Sequence, residues 1–307
     1  MKKNKLLKII KNPKFILLKL DQMKIIRLSD KVFIKWCYEY KVGKKLNLDN
    51  PTNFNEKIQW LKLYDRKGLY TKLADKYEVK EYLENKIGKD YVIPLLGVWD
   101  SFDDIDFNKL PKKFVLKTTH DSGGIIIVKD KDKMDLKKMK KNLNKSLKRD
   151  YYRVWREWQY KNIHRRIIAE EYLENNGDLL DYKFFCFDGE VKALFVAADR
   201  QSQEETKFDF YDDNFNHLDL RNGHPNSECG IERPKNFELM KRLASKLSVG
   251  IPQLRVDFYE VDGHVYVGEL TFSHYSGMIP FDPEQWDRKF GDWIKLPLAK
   301  QRNKDNK

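Results

Sequence analysis

The chain has 307 residues, of which 41% are hydrophobic and 13% aromatic, which is enough for one large folded domain or two ordinary ones. Its net charge of +13 favours an acidic partner such as a nucleotide, a nucleic acid, an anionic lipid or an acidic polysaccharide. The three cysteines, Cys37, Cys186 and Cys229, are scattered and form no CxxC pair, which argues against a disulfide framework and a zinc site. No apolar run approaches the ~18 residues of a membrane helix, which argues against a membrane span. Together these features predict a cytoplasmic protein.

The first predicted element is a basic amphipathic segment over residues 1–28, where lysines are mixed with apolar residues. Its apolar runs are too short and too often charged for a signal peptide, and Pro13 interrupts any single long helix. Such a segment can contact the anionic inner surface of a membrane as a peripheral anchor. It can equally be a solvated helix that packs its apolar side on its own domain, so both interpretations stay open.

Helix-like spacing of apolar residues continues through 31–87, and Asn53 and Asn55 are candidate caps of one helix. Pro94 and Pro111 bracket a looser stretch with an acidic run. The later pattern predicts a strand–loop–strand unit over 113–128, then a Lys-rich helix over about 133–149 and an aromatic helix over about 151–162. Strands follow over Ile167–Leu173, Tyr182–Phe187 and Lys192–Ala197, the last two joined at Asp188-Gly189. A helix over Phe237–Leu247 and a hairpin over Arg255–Thr271 complete the series.

The last hairpin carries polar side chains whose faces depend on its loop. A two-residue turn at Asp262-Gly263 puts Asp257 and Glu269 on opposite faces, whereas a three-residue loop pairs them and also pairs Arg255 with Thr271. Two close carboxylates repel each other unless a cation lies between them, so the second register predicts Mg²⁺ that carries phosphates. The alternative is an ordinary hairpin with a solvated charged face.

A second chemical feature is Lys117, which closes a strand just before the glycine-ended loop Thr118 to Gly124. Successive backbone N–H groups in such a loop can surround phosphate oxygens, and the lysine adds a point charge. A Walker A loop has its lysine after the glycines and opens a helix. The pattern therefore predicts a strand–loop–strand flap over a triphosphate, with a simple turn as the alternative.

A third feature is the strand that ends in Glu170-Glu171-Tyr172-Leu173. Free backbone donors and acceptors at such a strand end can recognise an adenine, while aliphatic side chains enclose its ring. Taken alone, the tetrapeptide says almost nothing about function.

The order of these features, with Asp75-Lys76 ahead of them, resembles the ATP-grasp superfamily. More closely, the chain is similar to the TupA-like ATP-grasp family of polysaccharide-biosynthesis clusters, over roughly residues 35–297. The place of the hairpin as the last member of the series favours the three-residue loop or a bulged equivalent. The segments that carry the resemblance are Leu46–Pro51, Phe54–Lys62, Ala74–Tyr77, Phe114–Gly124 and Gly268–Phe272.

The resemblance implies roles for the nucleotide-binding positions. Lys76 and Lys117 look like the two ATP-phosphate lysines of this superfamily. The flexible phosphate loop would contain Ser122, Gly123 and Gly124, and the adenine hinge would be Glu170, Glu171, Tyr172 and Leu173. Lys183 would contact a ribose or a phosphate, with a surface lysine as the alternative.

The resemblance also implies a metal and catalytic set. Asp257 and Glu269 match the magnesium carboxylates, and Arg255 would lie near the transferred phosphate, which makes Arg255 and Lys117 the implied catalytic residues. Thr271 stands where many ATP-grasp ligases have a metal-binding asparagine, and a threonine hydroxyl is a poorer ligand.

The implied activity is that of an ATP-dependent carboxylate–amine ligase that uses ATP and Mg²⁺. Its implied substrates are a small molecule or glycan that bears a uronic-acid carboxylate and an amine donor, an amino acid or peptide, joined through an acyl phosphate. Nucleic acid is not expected as a partner. The alternatives are an ATP-grasp-fold kinase or glycosyltransferase-like enzyme of the same pathway, and a non-catalytic basic module that binds polyanions.

The implied fold class is α+β, an ATP-grasp fold in which two α+β subdomains with antiparallel sheets sandwich ATP. A helical N-terminal region is expected over 1–74 and the ATP-grasp domain over 75–298. Within that domain the flap subdomain is expected at about 111–168 and the hinge and metal-site subdomain at about 169–298. A disordered tail is expected over 299–307.

Overall fold

A computed structural model describes residues 13–174, 179–198, 205–227 and 230–297. Residues 1–12, Cys229 and the expected tail over 299–307 lie outside these ranges. The longer helices are α1 (Pro13–Gln22), α2 (Asp30–Val42), α3 (Phe54–Tyr64), α4 (Gly68–Ala74), α5 (Glu78–Ile87), α6 (Leu136–Leu147), α7 (Tyr152–Trp155), α8 (Phe237–Ser248) and α9 (Gln285–Trp293). The strands are β1 (Leu95–Trp99), β2 (Phe114–Thr118), β3 (Ile125–Val128), β4 (Ile167–Glu171), β5 (Asp181–Phe187), β6 (Glu190–Ala198), β7 (Lys207–Asp212), β8 (His217–Leu218), β9 (Leu254–Val261) and β10 (His264–Thr271).

The chain divides into two compact units, and the first is helical. It contains the described residues up to Arg66, the segment Asp150–Trp158 and the described residues from Ser273 onward. Helices α1, α2 and α3 enclose an apolar core that includes Phe33, Ile34 and Trp60. Helix α3 starts at the predicted cap Asn53, whose backbone N–H donates to the Glu56 carboxylate in the same first turn.

The second unit contains Lys67–Arg149 and Gln159–Phe272, and it is built on two antiparallel sheets. The smaller sheet has the strand order β1-β4-β2-β3, so β4 is a central strand between β1 and β2. The larger sheet has the order β10-β9-β5-β6-β7-β8. All pairings within these sheets are antiparallel, as expected for an α+β protein.

Each sheet of the second unit buries one apolar face under a helix. In the smaller sheet, Phe114 and Leu116 of β2 pack with Met139 and Leu143 of α6. In the larger sheet, the apolar residues of β5, β9 and β10 pack against the apolar side of α8. Alternation along the strands then leaves Lys117 on the opposite face of β2, and Asp257 on the opposite face of β9 from Val256 and Phe258.

Two predictions about the secondary structure are wrong, and some elements were not predicted. The aromatic helix stops after one turn because Arg156 has φ of 57°, a left-handed conformation that ends a right-handed helix, and its guanidinium pairs with buried Asp21. The stretch after Pro94, taken as loose, contains β1, which completes the smaller sheet. Strands β7 and β8 and helix α9 were not predicted at all.

Among the described residues, no helix is both long enough and apolar enough to cross a membrane.

Candidate active site

The β9–β10 hairpin brings the predicted polar residues together on one face. Asp257 pairs with Glu269 across the two strands, and Arg255 pairs with Thr271. This is the register that the sequence favoured. The neighbouring strand β5 adds Lys183, which pairs directly with Asp257.

The hairpin reaches this register through a bulge. Its turn has only two residues, Asp262-Gly263, with φ of 50° and 77°, so the three-residue loop is wrong and its bulged equivalent is right. The pairing jumps between Val267 and Glu269, which leaves Gly268 as the extra residue. A Cβ atom at Gly268 would lie 2.7 Å from Cε2 of Tyr259, so a side chain there would collide with that ring.

The Asp257 carboxylate is 2% exposed and accepts hydrogen bonds from two cations. Lys183 Nζ lies 2.5 Å from Oδ2, while Arg255 Nε and Nη2 lie 2.7 and 2.8 Å from Oδ1 and Oδ2. Burial by itself raises the pKa of Asp257, but Arg255 and Lys183 outweigh it and hold the pKa below its usual value. Asp257 therefore stays ionised at neutral pH.

The two cations have further partners. Lys183 Nζ is also 2.6 Å from Oδ2 of buried Asp181, two residues earlier on the same face of β5. Arg255 Nη2 donates to Oγ1 of Thr271 over 3.0 Å. Thr271 therefore helps to hold the guanidinium, a role that the sequence did not suggest.

Glu269 and Lys76 form the more open part of the cluster. The Glu269 side chain is 38% exposed, and its Oε1 lies 3.9 Å from Nζ of Lys76. Lys76 Nζ also donates to the backbone carbonyl of Asp121 in the glycine-ended loop, over 2.6 Å. Lys76 thus connects that loop to the hairpin.

Glu170 does not sit at a free strand end, contrary to the hinge prediction. It lies within central strand β4, where its backbone pairs with Leu95 and Val115, and its side chain is 6% exposed. The carboxylate binds two lysines, with Lys80 Nζ 2.6 Å from Oε1 and Lys117 Nζ 2.5 Å from Oε2. Burial raises the pKa of Glu170, but the two lysines reverse that effect and lower it.

The glycine-ended loop is held by its own polar side chains. The carboxylate of buried Asp121 accepts hydrogen bonds from the hydroxyls of Thr118 and Ser146, the latter on α6. A Cβ atom at Gly124 would lie 1.8 Å from Thr118 Oγ1, so this position requires glycine. The tip of the loop, Ser122 and Gly123, is exposed.

Two cavities of the second unit share Lys117 and Glu170. The larger has a volume of about 210 Å³, and the smaller, of about 20 Å³, is lined by apolar residues and by Lys76, Lys80 and Glu269. The larger cavity is lined mostly by apolar and hinge residues, namely Ile93, Val115, Ile125, Ile127, Glu171, Tyr172, Leu173, Leu179 and Tyr259.

Sequence reasoning missed Lys80, Asp181 and Asp121. Lys80 lies four residues after Lys76, but no motif in the sequence marks it as a member of the site. Asp181 precedes Lys183 by two residues on a strand, a spacing that predicts one shared face. Nothing in the sequence indicated that Asp121 folds back onto its own loop.

Comparison with known proteins gives one family. A family model described as TupA-like ATPgrasp matches residues 56–295 of the chain. No curated protein sequence matches it.

Several solved structures are similar to this chain. The L-amino acid ligase from Bacillus licheniformis is 15% identical with a TM-score of 0.43, and the match covers 70% of this chain and 47% of that one. The D-alanine–D-alanine ligase from Bacillus anthracis is 19% identical with a TM-score of 0.38, covering 72% and 60%. The corresponding enzyme from Helicobacter pylori is 13% identical with a TM-score of 0.40, covering 80% and 70%. The match thus spans about half of the first structure and three fifths of the second.

Proposed function

Because the chain belongs to the TupA-like ATP-grasp family, we propose that it is an ATP-dependent carboxylate–amine ligase. The observation that carries this proposal is the pair of cavities that share Lys117 and Glu170, one mostly apolar and one that Lys76 and Glu269 also line. A nucleotide has the matching chemistry, since it joins an apolar ring to an anionic chain.

The larger cavity would hold the adenine. Its aliphatic side chains, such as Val115 and Ile127, would lie against the ring, and the segment Glu171–Leu173 would offer backbone groups to the ring nitrogens. Lys117 lines both cavities, so its ammonium would meet the first phosphates. The exposed loop tip at Ser122 and Gly123 would supply backbone N–H groups to the later ones.

The carboxylates of Asp257 and Glu269 would hold a magnesium ion that arrives with its nucleotide, beside the hydrogen bonds that both Asp257 oxygens accept from Arg255 and Lys183. Mg²⁺ prefers oxygen ligands and commonly takes one or two carboxylates together with phosphates. Bound there, Mg²⁺ would neutralise charge on the phosphate oxygens.

The protein's own contribution is positioning and fixed positive charge. Arg255 and Lys183 are held beside Asp257, and Lys76 lies beside Glu269. These cations would stabilise the charge that develops as the γ-phosphoryl group moves to the carboxylate substrate. That transfer leaves ADP, and an amine held next to the resulting acyl phosphate would then attack it, forming the amide bond and releasing phosphate.

The substrate class that we propose is a uronic acid, as a small molecule or within a glycan, with an amino acid or peptide as the amine donor. The polysaccharide context of the resembled family and the net charge of +13 support an acidic glycan partner. A screen of ADP release from ATP, with amino acids against uronic acids and their nucleotide sugars, tests this. We expect release that requires both a carboxylate and an amine. ADP release with the sugar alone would favour a kinase. If none of the uronic acids tested supports ADP release, the proposed substrate class is wrong.

We also propose a cytoplasmic protein with peripheral contact to the inner membrane surface. The connection between α1 and α2 exposes Met23 and Ile25, which are 68% and 61% exposed, beside Lys24. Apolar side chains next to cations are typical of contacts with anionic lipid.

Cosedimentation with phosphatidylglycerol and phosphatidylcholine vesicles checks this contact. We expect binding to the anionic vesicles alone and a roughly fivefold or larger loss in the double variant Met23→Asp/Ile25→Asp, because each aspartate removes apolar area and adds repulsion. Val249→Asp, at another exposed apolar residue, is the matched control. Equal binding by the double variant and the control would contradict the proposal.

A further inference from the structure

The Glu170 carboxylate is shared by two lysines that differ in their surroundings. Lys117 comes from β2 and lines the larger cavity, where a nucleotide would lie. Lys80 comes from α5, and its Nζ makes a second hydrogen bond of 2.7 Å to the carbonyl of Ile93. Its side chain is 11% exposed, compared with 16% for Lys117. Lys80 is therefore bound on two sides and lines only the smaller cavity, whereas Lys117 lines both cavities.

A buried carboxylate strongly resists losing its last cationic partner, because an unpaired charge in the interior is costly. Glu170 stays ionised, as its lowered pKa shows. With two partners, the carboxylate remains neutralised by Lys80 when Lys117 turns toward another anion. With Lys117 alone, the same movement would leave Glu170 uncompensated.

We propose that Lys80 is a positioning residue, which neutralises Glu170 so that Lys117 is free to bind the phosphates of ATP. The proposal rests on the proposed function, in which Lys117 is an ATP ligand. The cluster thus has a division of roles, since Lys80 holds the carboxylate permanently and Lys117 exchanges between Glu170 and nucleotide. The net charge of the three groups is +1 when they are all ionised, which leaves one positive charge available for a phosphate.

The test compares the dissociation constant of Mg-ATP, measured by calorimetry, with the kcat at saturating ATP in four variants. Lys80→Met should weaken ATP binding about 10- to 100-fold, because Lys117 would then have to leave Glu170 unpaired, while kcat changes little. Lys80→Met/Glu170→Gln should recover most of that affinity, because no buried carboxylate then competes for Lys117. Lys86→Met, on the exposed side of the same helix, is the matched control and should bind ATP like the wild type. Lys117→Ala tests the premise.

The outcomes separate the two proposals. A purely structural role of Lys80 predicts that the second substitution adds to the damage, so a double variant that binds no better than Lys80→Met would overturn the inference. Unchanged affinity in Lys80→Met would also overturn it. If Lys117→Ala binds ATP like the wild type, the proposed function fails at this residue instead. Lys80→Gln is prepared in parallel in case the methionine variant does not fold, since its amide can still donate hydrogen bonds, and the same two outcomes apply to it.

Discussion

Replacing Glu269 with Gln or Asp257 with Asn is expected to abolish ATP turnover while the fold persists. Each substitution removes one of the two carboxylates proposed to hold Mg²⁺, and charge stabilisation of this kind is commonly worth on the order of 10³-fold in kcat. Glu269 is the cleaner site, because its side chain is 38% exposed and its neighbour Lys76 also donates to the backbone carbonyl of Asp121. In Asp257→Asn, Lys183 keeps Asp181 as a partner, which limits the damage to the fold.

Steady-state ADP release and the thermal unfolding midpoint measure these two effects separately. Glu260→Gln is the matched control, because it neutralises a carboxylate on the same strand that binds Asn236 over 2.6 Å rather than the polar cluster. We expect the control to retain turnover. Wild-type turnover in purified Glu269→Gln or Asp257→Asn would contradict the assignment of these carboxylates as magnesium ligands. An equal loss in the control would point to a general sensitivity of the hairpin.

The register of this hairpin was predictable, but the way it is formed was not. The pairing of Asp257 with Glu269 across the two strands could be predicted from the alternation of side chains and from the place of the hairpin in an ordered series of motifs. The turn length did not follow, because a bulge at Gly268 has the same effect on register as one more loop residue. A Cβ atom at Gly268 would lie 2.7 Å from Cε2 of Tyr259, so the bulge position favours glycine, and the sequence of one strand does not reveal such a cross-strand contact.

Long-range partners explain most of what the sequence could not show. Glu170 was assigned to a free strand end because its partners β1 and β2 were not known, and β1 was missed altogether. Lys80 had no predicted role, and only the fold places it against Glu170, 90 positions later in the chain. Helices α2 to α6 and strands β2 to β6 were broadly predictable, because their signals are local periodicity and turns.

Replacing Lys117 with Ala is expected to weaken Mg-ATP binding about 10- to 100-fold, because a hydrogen bond to a charged group contributes about 1.5–3 kcal/mol. The fold should persist, since Lys80 continues to neutralise Glu170 after the substitution. Titration calorimetry with Mg-ATP gives the affinity, and circular dichroism confirms the fold.

Lys113→Ala is the control that distinguishes a specific role of Lys117 from a general effect of net charge. Lys113 lies just before the same strand, four residues from Lys117, but it is exposed and pairs with exposed Glu174. Exposed ion pairs contribute little, about 0–1 kcal/mol, so its loss should leave ATP affinity nearly unchanged. Both variants lower the net charge of the protein by one unit. A loss confined to Lys117 would therefore assign binding to a specific position, whereas equal losses would favour a non-catalytic module that binds polyanions through its overall charge of +13.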